Sequence, residues 1–81
     1  MSTPQEEAAL AGRMAHEMIV AMEPHHDRRH WQRSSSEYLL GRLEDELDEL
    51  RKAVEDGGNV WKEAADVANF AAMIADRASD G

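Results

Sequence analysis

The chain has 81 residues, one small domain at most, and a chain so short buries too little surface to do without extra support such as oligomerisation or an unusually regular helical core. It has no cysteine, which removes disulfides and thiolate metal sites and fits a reducing cytoplasm. Seventeen acidic residues against nine Lys and Arg give a net charge of -8, which opposes nonspecific binding to nucleic acid, and no segment approaches the roughly 18 apolar residues of a membrane span.

The opening "MSTPQEEAAL" carries acids where a secretory signal carries bases, so a soluble cytoplasmic protein is expected. Two Pro and five Gly, few β-branched or aromatic residues, and abundant Ala, Leu, Glu and Met favour helix throughout. The expectation is an all-α fold in which a three-helix chain forms an oligomeric helical bundle, with helices at about residues 3–23, 35–56 and 59–78.

The first helix starts at "TPQE", where Thr3 is the cap, Pro4 occupies the first helical position and Glu6 completes a capping box. Leu10, Met14, Met18 and Ala21 recur at helical spacing until Pro24 closes the run. "PHHDRRHWQRSSS" is polar and without periodicity, and reads as a loop. Ser34 and Glu37 form a second capping box, followed by the seam Leu40, Leu43, Leu47, Leu50 and Val54. "DGGN" is a turn, and Asn59 caps the third helix, whose seam is Val60, Ala64, Val67, Ala71, Ile74 and Ala78.

Trp61, Ala65, Ala68, Phe70, Ala72 and Met73 cover the remaining sides of that third helix. A helix apolar all round is buried all round, and two other helices hardly suffice to cover it, so a homodimer or homotetramer is expected. Within this apolar helix Glu63, Asp66 and Asn69 stand three apart and share one face. A carboxylate in such surroundings needs a positive partner or loses its charge.

The second helix offers Glu46 and Glu49, also three apart, in "ELDEL". In each helix the acids directly precede seam residues, so packing of the two seams places all four carboxylates on one edge of the contact. Oxygen-only ligands without His or Cys suit Mg²⁺, with Mn²⁺ as a substitute. Taken alone, "ELDEL" is what a solvated acidic face gives in so acidic a chain, with Arg42, Arg51 and Lys52 as its partners. The pair in the apolar helix is the informative one.

An ExxE pair followed after thirteen residues by ExxD, here Glu46, Glu49, Glu63 and Asp66, resembles the all-α nucleoside triphosphate pyrophosphohydrolases. "LEDELDELRKAV" and "KEAADVANFAAMIAD" look most like the short MazG-like proteins of phages and prokaryotes. The resemblance implies Mg²⁺ held by the four acids in a dimer or dimer of dimers. It also implies hydrolysis of a (d)NTP at the α-phosphorus to the monophosphate and pyrophosphate, in nucleotide-pool control, with a purine dNTP as the guess for substrate. Glu46 or Glu49 would also take the proton of the attacking water. Family members often carry a further helix after ExxD, so a second subunit is expected to contribute residues.

Family pockets often stack the base on an aromatic residue upstream of ExxE, where Trp31 stands in this chain; packing of a loop Trp over the bundle is the other reading. His30 is a candidate for base or phosphate contact, and His25, His26 and His30 match no firm metal-ligand spacing. Arg28, Arg29 and Arg33 form the densest basic group, suited to a triphosphate or to a solvated loop. Lys62 beside Glu63 is a phosphate candidate or a rim lysine. Asn69 suits a sugar hydroxyl, a phosphate oxygen or a metal-bound water, and Phe70 either the base pocket or the core. The alternatives to a (d)NTP pyrophosphohydrolase are a noncatalytic helical oligomer acting as an interaction or regulatory module, and a phosphoribosyl-ATP pyrophosphohydrolase.

Overall fold

In the computed structural model, which describes residues 1–24 and 31–79, the elements are helix α1 (Pro4–Met22), a 3₁₀ turn (Trp31–Arg33), helix α2 (Ser36–Asp56) and helix α3 (Val60–Ser79). No strand occurs among the described residues, so the all-α expectation holds.

The ends of α1 and α3 follow from local chemistry. At the start of α1 the Glu6 backbone N–H donates to Thr3 Oγ1 (3.1 Å) while the Thr3 N–H donates to Glu6 Oε1 (2.8 Å), so two amides that the helix cannot satisfy are paired. The Thr3 backbone N–H, and then its hydroxyl, hold the Glu6 carboxyl below its usual value. Asn59 Oδ1 accepts from the Lys62 N–H at the start of α3 (3.1 Å).

At α2 the cap lies one residue later than the sequence predicts. Ser35, not Ser34, accepts from a helix amide, that of Tyr38 (3.1 Å). The Ser34 carbonyl instead accepts from Arg77 Nε at the far end of α3 (3.0 Å), a tie the local pattern could not reveal. Gly57 closes α2 at φ 77°, the left-handed conformation that favours glycine.

The Gly57–Asn59 turn folds α3 back on α2 as a helical hairpin, the most extensive packing in the chain, and α1 lies against α3. α3 is therefore the central element. The buried residues are Ala65 and Asn69 on α3, with Leu39 and Ala53 on α2. The predicted seams are covered only in part: Leu43 and Leu50 on α2 and Ala64, Val67 and Ile74 on α3 are half-buried, while Leu40, Leu47, Val54 and Val60 are exposed. The physical reason is that α3 touches two helices at once, so its most buried stripe faces the groove between them. A seam for one partner is rotated away by about 100° for each position of offset.

Among the described residues no helix is long and apolar enough to cross a membrane.

Candidate metal centre and cavity

The α2–α3 hairpin brings together one carboxylate from α2 and two from α3. Oxygen atoms of Glu46, Glu63 and Asp66 all lie within 4.8 Å of one another. The spacing explains the placement: Glu63 and Asp66 are one turn apart on one face, and Glu46 faces them across the contact. The three side chains are 15%, 20% and 21% exposed. Glu49, expected in the same set, is not part of the cluster. It is one turn further along α2, 54% exposed, with its carboxylate 3.6 Å from Lys52.

Two cations face the cluster. Lys62 Nζ donates to Asp66 Oδ2 (3.1 Å) and to Glu63 Oε1 (3.5 Å). Arg42 donates to Glu46 Oε1 (2.8 Å) and to Asp45 Oδ2 (2.9 Å), and its guanidinium stands 5.2 Å from the Phe70 ring centroid. The bond to Asp66 holds the Lys62 pKa above its usual value, against burial, which pulls the other way. Burial alone would lower that of Arg42; its bonds to Asp45 and Glu46 outweigh it and raise the value. Arg42 is a residue the sequence reading missed as part of a site. The signal was present, because Arg42 and Glu46 are four apart on one helix.

The cluster forms one wall of an open cavity of about 930 Å³, a size in the range of small-molecule sites. Trp31, Tyr38 and Phe70 supply aromatic surface, and Glu49, Lys62 and Asn69 also line it. Trp31 is placed by its indole Nε1, which donates to Asp76 Oδ2 (3.0 Å), a contact spanning 45 residues of sequence. Together with Arg77 to Ser34, this bond ties the 3₁₀ turn to the last turns of α3. Arg33 is exposed on that turn and does not line the cavity. His30, and with it His25, His26, Arg28 and Arg29, lies outside the described residues.

Asn69 is 4% exposed. Its Nδ2 donates to the Met18 carbonyl of α1 (3.0 Å), so the partner that a buried amide needs is backbone of the neighbouring helix.

The chain matches no protein-family model, no curated protein and no solved structure.

Proposed function

We propose that the protein is a Mg²⁺-dependent (d)NTP pyrophosphohydrolase of MazG-like type that cleaves at the α-phosphorus, with a purine dNTP as the first substrate to examine. The observation that carries this reading is the convergence of the Glu46, Glu63 and Asp66 carboxylates on one wall of a cavity with aromatic surface. An all-oxygen, partly buried donor set fits a hard divalent cation, and Mn²⁺ can stand in for Mg²⁺. When bound, the cation supplies charge neutralisation for the triphosphate and lowers the pKa of a coordinated water.

The residues of the chain do the rest. Glu46, Glu63 and Asp66 are the ligands. Glu49 lines the same cavity without belonging to the cluster and, on leaving Lys52, is the base that takes the water's proton. The bond between the α-phosphorus and the oxygen bridging to the β-phosphorus breaks. Water oxygen ends on the monophosphate and the electron pair leaves with pyrophosphate. Lys62, once released from the acids, reaches a phosphate oxygen, while Trp31 and Phe70 form the walls for the base.

Copies of the chain associate in this proposal, as a dimer or tetramer, over apolar surface that the three helices leave uncovered: Leu10, Ile19 and Val20 on α1, and Leu40, Leu47 and Val54 on α2.

The test is pyrophosphate release from a panel of NTPs, dNTPs and phosphoribosyl-ATP, with and without Mg²⁺. The expected outcome is hydrolysis of at least one nucleotide that stops on chelation. Glu63→Gln and Asp66→Asn should each lower it at least about 100-fold while helicity by circular dichroism is unchanged. Full activity in both variants would sink the reading.

One observation favours a second reading, a noncatalytic helical oligomer. Lys62 and Arg42 already pair with the three acids, as in a structural ion-pair network. The two readings part on metal: a ligand set raises the melting temperature on Mg²⁺ addition, and an ion-pair network does not.

A further inference from the structure

Asn69 presents an acceptor with nothing to accept. Its Oδ1 is buried and has no hydrogen-bond partner, although the same amide is well held by its nitrogen. The orientation is not arbitrary. Turning the amide over would set Oδ1 against the Met18 carbonyl oxygen, two acceptors facing each other, so the nitrogen must point to Met18 and the oxygen away from it. What completes this site is a hydrogen-bond donor or a cation; a phosphate oxygen, which only accepts, does not fit it, and an N–H or O–H of a bound ligand does.

The position of Asn69 says which part of a ligand this concerns. It lies three residues beyond Asp66 on α3, about 4.5 Å further along the axis, away from the acids and next to Phe70. It lines the cavity that the acids line. A nucleotide whose phosphates lie at Glu46, Glu63 and Asp66 brings its sugar and base to this point, where Trp31, Phe70 and Met73 line the same cavity. Met22 and Met73 line both this cavity and a smaller apolar one that Asn69 also borders. These are unbranched, flexible side chains, the kind that yields when a buried group must be reached.

We infer that Asn69 Oδ1 is a specificity element that accepts a hydrogen bond from a neutral donor on the nucleoside half of the ligand, either the sugar 3′-hydroxyl or an N–H of the base. The inference rests on the nucleotide reading above and adds what that reading leaves open. It assigns Asn69 to nucleoside selection and removes it from phosphate binding.

The experiment is calorimetric titration of the full chain, in Mg²⁺, with non-hydrolysable α,β-imido dNTPs. The tightest binder of four bases is then compared with its 2′,3′-dideoxy form and with a form lacking the base's own donor. One of these two should bind about tenfold more weakly, the scale of a single net hydrogen bond. The comparison also shows which donor is read. Asn69→Ala should bind the complete nucleotide and that analogue equally.

Because Asn69 holds Met18, the variant can fail to fold. The side-chain amide signals of wild-type Asn69 in nitrogen-15 correlation spectra supply a second measurement. They should shift with the complete nucleotide and not with the analogue that lacks the donor. Equal affinity for all three ligands, discrimination that survives in Asn69→Ala, or amide signals that respond alike to all of them would overturn the inference and leave the nucleotide reading standing. Binding of no nucleotide at all would remove both.

Discussion

Lys62 and the three acids around the candidate centre show how charge decides what a residue can do. Glu46, Glu63 and Asp66 sit close enough to repel, and Lys62 and Arg42 offset that repulsion within the chain. A divalent cation that enters must compete with Lys62 for Asp66. Lys62→Met should therefore lower the melting temperature without metal and enlarge the rise produced by Mg²⁺, read by thermal denaturation with and without a chelator; an unchanged rise would show that Lys62 and metal do not share a site.

The pH dependence follows from the same bond. The Lys62 pKa is raised in the fold, so its contribution is fully present below the usual lysine value of 10.5 and is lost as pH rises through the higher folded value. Lys62 is more than half exposed, which keeps that contribution small. A decline in stability above that pH should be present in the wild type and reduced in Lys62→Met.

α3 sets the design at the level of elements, because it serves two neighbours with side chains of little volume. Ala65 is fully enclosed, and a larger side chain there has nowhere to go. Ala65→Leu should destabilise the fold by about 1–3 kcal/mol through overpacking, measured by urea denaturation. The turn between α2 and α3 depends on Gly57, whose φ of 77° costs any other residue strain even though no atom would meet its side chain. Gly57→Ala should cost about 1 kcal/mol. Both variants test the hairpin that brings Glu46 to Glu63 and Asp66.

The capping chemistry at this scale was legible in the sequence, since Thr3, Pro4, Glu6, Gly57 and Asn59 act on amides or dihedrals within four residues of themselves. Ser35 replacing Ser34 is the exception, and Ser34 is tied elsewhere, its N–H donating to the Trp31 carbonyl of the 3₁₀ turn. Arg77, 43 residues away, holds the Ser34 carbonyl.

The whole molecule is more open than its length requires. Its radius of gyration is 13.7 Å, against about 12 Å for a compact chain of this length. α1 has no buried residue, and Leu10, Ile19 and Val20 on it are exposed, as are Leu40, Leu47 and Val54 on α2. In the proposed oligomer these faces are covered. Sedimentation equilibrium should then give two or four times the chain mass, and Ile19→Glu or Leu47→Glu should lower both that mass and the melting temperature. In a monomer the same substitutions, at exposed positions, would leave both unchanged.

The sequence by itself determined that the chain is helical, where each helix begins and ends to within a residue or two, and that Glu63, Asp66 and Asn69 share a face. All of these are consequences of hydrogen bonding and periodicity over a few residues. Only the tertiary structure decided that Glu46 joins Glu63 and Asp66 while Glu49 pairs with Lys52, because the rotation of α2 against α3 selects one turn and not the next. It also decided which seam residues are covered, Leu43 and Leu50 being half-buried and Leu40, Leu47 and Val54 exposed. Two helices press on α3 from different sides, and the groove between them, not the most apolar face, is where water is excluded. The free oxygen of Asn69 belongs to that second kind of knowledge: the residue was visible in the sequence, and the Met18 carbonyl that commits its nitrogen was not.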